Sequence, residues 1–324
     1  PADAMLLAAD SKSSVSVFDF NQEVEAVEVA AKPLSPESTI TLRNDYIEAV
    51  FTSRGGAIQT VSFLQTKSGE RDDYIFNKGG LLPALSLSLN SREGEIKEYA
   101  YDYLIHQQSS DSVTFVYDNL EGLNIRREYR IASTDSEDEP YTIEHTTVFT
   151  ANSTSKQLLS TVYFNLGTAR PITEEMIGVN FLNVGYFDGE DAEFIPIKKL
   201  TGGKGFLGIG ASDPKDVITE SARIQWSSVK NQFFASVLSS GSNASDIFVK
   251  KVDPPSDAVN QPDRLGISGS VGYEIDTLAP GESKSLDFQY FVGPKEFKRL
   301  QAMGNEQDLV MQFGFLGFFS KLLL

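Results

Sequence analysis

Few side chains in these 324 residues could do chemistry, and their spacing decides most cases. The two histidines, His106 and His145, fall in separate strand-like runs, and there is no cysteine. A zinc site wants three or four N or S ligands, so carboxylates would have to complete one, and both imidazoles read as ordinary packed or surface residues. Without thiols, neither a disulfide nor a thiolate metal site can form. The acidic clusters Asp135–Glu139 and Asp188–Asp191 offer oxygens that Ca²⁺ would accept, but neither has the spacing of a helix–loop–helix calcium loop. They read as solvated turns. Gly203, Gly205 and Gly208 in GGKGFLGIG have the spacing of a dinucleotide fingerprint, yet Asp213-Pro214 follows instead of an amphipathic helix whose N-terminus could meet a pyrophosphate. Lys204 has no Ser or Thr after it, which removes a P-loop, and no Ser stands in a nucleophile elbow. The aromatic group Trp226, Phe233 and Phe234 lies in RIQWSSVKNQFFASVL. It reads as a core hairpin, with an aromatic ligand platform as the alternative.

The elements that must position these residues are strands. Phe (22) and Tyr (12) stand beside many Val, Ile and Thr, while Gly (25) and Pro (13) punctuate the chain at short intervals. Alternation begins at Thr39 and continues through Tyr46 to Phe51 and Ala57 to Leu64, with the tight-turn pair Gly55-Gly56 between them. Further runs include Ala84 to Leu89, Ser112 to Tyr117, Asn124 to Ile131, Tyr141 to Thr150, Gln157 to Leu166, Gln232 to Leu238, Asp246 to Val252 and Ser285 to Val292. No helical period separates them, so the expectation is an all-β domain over 39–293, mostly antiparallel and stacked as a large twisted sandwich. Residues 1–38, acidic and ending in the spaced prolines of KPLSPES, read as a flexible linker, with a short added edge strand as the alternative. The net charge of −17 argues against nucleic acid and against flat docking on anionic lipid.

After Gly293 the character changes. Pro294 suits a first helical position and Gly304 a left-handed helix stop, predicting a short helix from about Lys295 to Met303 with Phe297, Leu300 and Met303 along one stripe. From Leu309 to Leu324 the residues are mostly large and apolar, with Lys321 the only charge. That run is shorter than the roughly 20 residues a span requires, so it reads as an interfacial segment or the start of a span. Phe313, Phe315, Leu316, Phe318 and Phe319 would sit at a bilayer interface beside Lys321.

The stretches LRNDYIEAVFTSRGGAIQTVSF, QWSSVKNQFFASVL and YFVGPKEFKRLQAMG, followed by FGFLGFFSKLLL, together resemble the periplasmic domains of the YidC family of bacterial membrane-protein insertases. Gly55, Gly56, Trp226, Phe233, Phe234, Gly293, Pro294 and Lys295 are the positions that carry the likeness, over about residues 39–324. The resemblance implies a galactose-mutarotase-like β-supersandwich closed by short C-terminal helices, facing the periplasm from the bacterial inner membrane. It implies no cofactor and no catalytic residue in this chain, because the family's insertion groove lies in a five-helix membrane core. The partners it implies are client membrane proteins, the bilayer reached through the C-terminal segment, the Sec translocon and SecD-SecF. The mutarotase relationship supplies the rival reading, a carbohydrate-binding or mutarotase-like module with a sugar cleft. In TVYFNLG the position of the mutarotase histidine is occupied by Thr161, and ring opening needs an acid and a base that the substitution halves.

Overall fold

The computed structural model describes residues 36–64, 71–90, 96–98, 102–118, 122–133, 139–154, 156–172, 176–202, 213–253 and 265–312. Gly203, Lys204, Gly205 and Gly208 of GGKGFLGIG, Asp135 to Asp138 and the aromatic run Phe313–Phe319 with Lys321 lie outside the described residues.

The chain opens on a four-stranded antiparallel sheet formed by β1 (Thr39–Arg43), β2 (Ile47–Thr52), β3 (Ala57–Leu64) and β4 (Arg71–Phe76) in sequential order. Ile40 and Leu42 of β1 point inward between exposed neighbours, the alternation of a sheet with one wet face. The second sheet has thirteen strands. Its strands are β5 (Leu87–Asn90), β6 (Ile96–Glu98), β7 (Leu104–Gln108), β8 (Ser112–Asp118), β9 (Leu123–Ile131), β10 (Thr142–Ala151), β11 (Gln157–Ala169), β12 (Asn183–Phe187), β13 (Ala192–Pro196), β14 (Val217–Lys230), β15 (Phe234–Val252), β16 (Gly266–Leu278) and β17 (Ser283–Pro294). The main path runs β6-β5-β11-β16-β15-β17-β10-β9-β8-β7, and β12 joins β13 to β14, which pairs with β15. Every pairing is antiparallel, as expected when hairpins rather than helical crossovers connect the strands.

β15 organises this sheet. Its first part, Phe234 to Ser240, pairs with β17, and its last part, Asp246 to Val252, pairs with β16, while β14 accompanies it throughout. Sequence spacing suggests two strands here, because the polar stretch SSGSNAS interrupts the apolar pattern. The stretch stays in the ladder and takes up the register shifts opposite Ser221 to Trp226, where the hairpin bends. β4 is a second departure from expectation, since RDDYIF shows too little alternation to announce a strand.

Two short helices, α1 (Met176–Val179) and α2 (Lys198–Thr201), stand between strands where no helix was expected. α2 is one turn, held by the buried Leu200 and by a hydrogen bond from the Ile197 N–H to the Leu182 carbonyl (3.0 Å). Pro294 also departs from its expected role. It ends β17 opposite Phe234, and the next N–H, that of Lys295, donates to the Phe233 carbonyl (2.8 Å), so the strand continues past the proline. α3 (Phe297–Ala302) therefore starts later, with Leu300 buried and Phe297 and Met303 half-buried along the expected stripe. Gly304 follows at φ +76°, the left-handed stop, and a 3-10 turn over Gln307–Met311 completes the described chain.

The Gly55-Gly56 turn between β2 and β3 is tighter than its hairpin alone demands. Both residues have positive φ (+78° and +53°), and a Cβ on Gly56 would lie 2.9 Å from the buried ring of Tyr103. Gly304 shares the positive φ, yet nothing lies within 4 Å of its missing Cβ. Gly56→Ala is expected to lower the urea midpoint by more than Gly304→Ala does. The strain of a left-handed alanine, about 1 kcal/mol, is common to both, and only Gly56 adds a ring clash. Equal losses in the two variants would show that Tyr103 yields freely.

Candidate functional site

β9 carries LNIRREYRI, whose alternate residues Leu123, Ile125, Arg127, Tyr129 and Ile131 all face inward. A guanidinium thus occupies a core position with none of its surface in water. No carboxylate among the described residues pairs with Arg127. Its Nη1 donates to the Gly55 carbonyl (2.7 Å), Nη2 to the Leu85 carbonyl and to His145 Nε2 (3.1 Å), and Nε to the Thr147 hydroxyl (3.3 Å). Because arginine only donates, His145 must accept at Nε2 and carry its proton on Nδ1, which donates to the Glu128 carbonyl (2.9 Å). Burial first, and the neighbouring Arg127 charge second, hold His145 well below the ordinary imidazole range, against the opposing pull of the Glu128 carbonyl. The neutral ring is stacked between Tyr129 and Phe288. It is a structural group. His106, by contrast, sits on the exposed edge strand β7, with β8 and β9 between it and β10, so the two imidazoles are not brought together.

The outward face of the same sheet is open and polar. Glu144, Gln289 and Ser239 form a row across β10, β17 and β15, and Thr146 stands opposite Asp287. A hollow of about 490 Å³ lies over these residues, and another of about 450 Å³ adjoins it between Glu144, Arg130 and α3. Its charges are already engaged with one another. Glu144 takes two hydrogen bonds from Arg130 (2.6 and 3.0 Å), Asp287 accepts from the Thr146 hydroxyl (2.6 Å), and Glu139 binds Arg299 in a fork (2.6 and 2.8 Å). The first pair is half-exposed and worth about 0–1 kcal/mol.

The stretch Thr161–Gly167 lies on β11, where Thr161 faces Glu274 and Tyr163 faces Gly272 of β16. Tyr163 is pushed up to about 12, first by burial and then by the neighbouring Asp246 carboxylate. Asn165 is buried and spends its amide on Ser268, Gly269 and Ser270, while its carbonyl oxygen accepts from the Gly167 N–H (2.8 Å). The run that invites comparison with a sugar enzyme thus works here as strand architecture, and the imidazole beside it, that of His145, packs edge-on against Phe164 with its Nε2 engaged by Arg127 and Thr147. Asp188 likewise closes its own turn onto the N–H groups of Glu190 and Asp191 (both 2.8 Å). Among the described residues no group of three or more His, Asp or Glu is placed to hold a metal ion.

Trp226 and the two phenylalanines divide. Trp226 is buried against Phe187, and Phe234 stacks on Phe63 and Tyr74, which makes the hairpin core; Phe233 alone stands out, half-exposed. What the hairpin binds is the C-terminal segment of its own chain. Trp226 Nε1 donates to the Asn305 carbonyl (2.8 Å), Lys230 Nζ to the Val310 carbonyl, and Asn183 Nδ2 to Gln312 Oε1 (3.1 Å). Gly293 pairs with Ala235, and Lys295 continues the strand. Lys230 is 2 % exposed, lies over the Phe194 ring and has no carboxylate partner among the described residues. Burial, with Lys295 nearby, pushes its ammonium down to about 6; burial alone pushes Lys295 down to about 8.

Sequence reasoning missed Arg127 and Lys230, the two buried cations among the described residues. Arg127 left a signal, a charge in phase with four inward apolar residues. Lys230 left none, because it ends a run of consecutive buried residues rather than an alternating one.

A family model described as the YidC periplasmic domain matches residues 39–324. No curated protein matches the chain in sequence. Among solved structures, the chain is similar to a putative aldose 1-epimerase from Escherichia coli K12, at 12% identity and a TM-score of 0.51, covering 80% of this chain and 99% of that one. It is similar also to a galactose mutarotase-like protein from Lactobacillus casei, at 13% identity and a TM-score of 0.51, covering 79% and 100%. At such identities the likeness is one of fold, and it bears out the expected mutarotase-like β-sandwich.

The buried lysine gives the C-terminal clamp a pH dependence of known sign. Lys230 titrates near 10.5 when unfolded and about 6 when folded, so between those values the unfolded chain holds the extra proton. Stability then rises with pH by up to about 1.4 kcal/mol per unit and falls as pH drops toward 6. Between pH 7 and 8 His145 is largely neutral in both states, while Lys295, pushed down to about 8, adds a smaller slope of the same sign that grows toward pH 8, so Lys230 supplies the larger share. The urea midpoint should climb over this interval and climb clearly less steeply in Lys230→Met. A slope that the substitution leaves unchanged would assign it to another group.

Proposed function

This chain belongs to the YidC periplasmic-domain family, and on that premise we propose that it is the non-enzymatic periplasmic domain of an insertase that helps insert and fold bacterial inner-membrane proteins. The observation that carries the reading is the family match across the whole β-domain and the segment after it. In this role the domain faces the periplasm from the inner membrane, beside the Sec translocon and SecD-SecF, and the chemistry of insertion belongs to membrane helices beyond these residues. Among the described residues no helix is long and apolar enough to cross a membrane. The C-terminal segment supports the proposal in its own way: Trp226, Lys230 and Asn183 fix residues 305–312, so the apolar run that follows starts from a held base. Phe313, Phe315, Leu316, Phe318 and Phe319 then place their rings at the bilayer interface, with Lys321 among the headgroups.

The fold likeness to aldose 1-epimerases keeps the sugar-cleft reading as the alternative. Against it stand Thr161 and the carboxylates of the open face, which are engaged with Arg130, Arg299 and Thr146 instead of standing free as acid and base. Among the described residues, the aromatic that lines the hollow on that face, Phe288, is buried and offers no stacking platform.

Three measurements test the proposal. The full reading frame is expected to encode five hydrophobic spans with an intramembrane Arg after Leu324; a soluble enzyme domain there would overturn it. Phe315→Ser, Phe318→Ser and Phe319→Ser together are expected to abolish co-sedimentation with liposomes, and unchanged binding would refute the interfacial placement. Polarimetry of fresh α-galactose should give the spontaneous anomerisation rate with or without the protein, whereas acceleration would restore the enzyme reading.

A further inference from the structure

Exposed apolar side chains gather at the end of the domain from which the C-terminal segment departs. In the β12–β14 ladder Asn183 pairs with Lys230, and the chain continues past this pair to Phe181 on one strand and to Phe233 on the other. Phe181 is 39% exposed and Phe233 50%. The same pair holds the departing segment, through Lys230 on the Val310 carbonyl and Asn183 on Gln312. Asn183 Nδ2 also donates to the Phe181 carbonyl (3.3 Å), so Phe181 and Gln312 adjoin one amide. Asn231, which shapes the turn under Phe233, donates to the Arg170 carbonyl (2.9 Å), and Ile172 follows two residues later, 37% exposed.

Cations surround these side chains although the chain as a whole carries −17. Arg170 donates to the Lys78 carbonyl (3.2 Å), which brings two basic residues to the turn, and exposed Lys198 starts the helical turn bound to Leu182 beside Phe181. Among the described residues, three nearby acids are paired with other cations: Asp253 with Lys251 (3.0 Å), Glu220 with Lys199 (3.9 Å) and Glu296 with Arg299 (3.3 Å); Glu174 and Glu175, which follow Ile172 in sequence, lie outside the described residues. Of the other exposed large apolar residues among those described, Leu104 (75%) and Ile105 (37%) lie on the edge strand β7, Val217 (39%) starts β14 and Leu81 (52%) follows Lys78 by three residues, and no described bond ties any of them to the C-terminal segment.

We infer that this end of the folded domain rests on a lipid bilayer that contains anionic headgroups, with Phe181, Ile172 and Phe233 entering the interface and Lys78 and Lys198 facing the phosphates, while Arg170 holds the turn through the carbonyls of Lys78, Gly79 and Asp253. The inference builds on the reading of residues 313–324 as the membrane-approach segment, and adds that the domain lies down on the membrane instead of standing off it. An apolar run leaving from this end brings it within reach of the bilayer, and amphipathic rings and snorkelling cations suit the headgroup layer. The overall negative charge, which argues against flat docking, leaves this end as the one that can approach.

The cysteine-free sequence allows the test in the whole 324-residue chain. Phe181→Cys, Phe233→Cys and, in the turn at the opposite end of β17, Ala279→Cys are each labelled with an environment-sensitive fluorophore and mixed with vesicles of phosphatidylethanolamine and phosphatidylglycerol. Blue shifts at positions 181 and 233 with none at 279 are expected. The double variant Phe181→Ser/Phe233→Ser, checked for unchanged melting, should partition about tenfold more weakly. Co-sedimentation with labels at 181 and 233 still in water would overturn the inference while leaving the tethering segment intact. No co-sedimentation at all would overturn both. An equal response on phosphatidylcholine vesicles would remove the role assigned to the cations.

Discussion

The structure depends on a buried guanidinium that has no counter-ion among the described residues. Arg127 reaches from β9 to the carbonyls of Gly55 and Leu85, while Tyr129, two residues on, donates to the Gly56 carbonyl (2.8 Å), so adjacent inward positions of the large sheet hold the turn of the small one. A charge in this position is tolerable only with its N–H groups occupied, and the carbonyls in turn have no other solvent or donor to turn to. The arrangement is unforgiving in both directions. Losing the arginine strands buried acceptors, and displacing the turn strands a buried cation, which costs several kcal/mol. The left-handed Gly55-Gly56 conformation serves that geometry by aiming both carbonyls at β9. The neutrality of His145 belongs to the same arrangement, since burial first and the Arg127 charge second disfavour its imidazolium.

Lys230 meets the same problem with the opposite chemistry. An arginine keeps its proton at any ordinary pH and must be supplied with acceptors, whereas a buried lysine can yield its proton. Arg127 therefore adds no pH dependence of its own to the contact between the sheets, whereas Lys230 makes the contact between the sheet and the C-terminal segment depend on pH. That division suits a β-body that must stay intact and a segment whose hold on it is adjustable. Burial of Leu300 and Val310 supplies the apolar part of the docking, and Arg299, forked onto Glu139 and lying over Tyr141, fixes the other side of the segment.

Strand periodicity was legible because this sandwich has clear inner and outer faces. β1, β9 and β10 alternate as their sequences do, and the helix stripe Phe297, Leu300 and Met303 appears where expected. Failures fall where tertiary contact overrides local pattern. SSGSNAS remains in β15 because β14 and the flanking β16 and β17 pairings carry it through, and Pro294 remains in β17 because Lys295 finds the Phe233 carbonyl. The role of Trp226 was half legible: burial could be inferred from its neighbours, but its indole N–H needed a partner that lies 79 residues away. Phe233 and Phe234 are adjacent and equally apolar, yet the strand's own alternation sends one into the core and the other outward.

The likeness to aldose 1-epimerases fixes the architecture and leaves the chemistry to individual positions. A sandwich of this kind offers two surfaces for function, the open face of the large sheet and the loops at the strand ends. On the open face the polar side chains satisfy one another, which makes a stable wet surface and leaves no unpaired acid beside a base. At the strand ends the chain spends its buried polar groups, Asn183, Trp226 and Lys230, on its own departing segment and leaves phenylalanines in water. Exposed rings oppose the hydrophobic effect unless something covers them. The distribution thus moves functional weight from the sheet face, where a sugar enzyme would carry it, to the end of the domain that faces its own apolar tail.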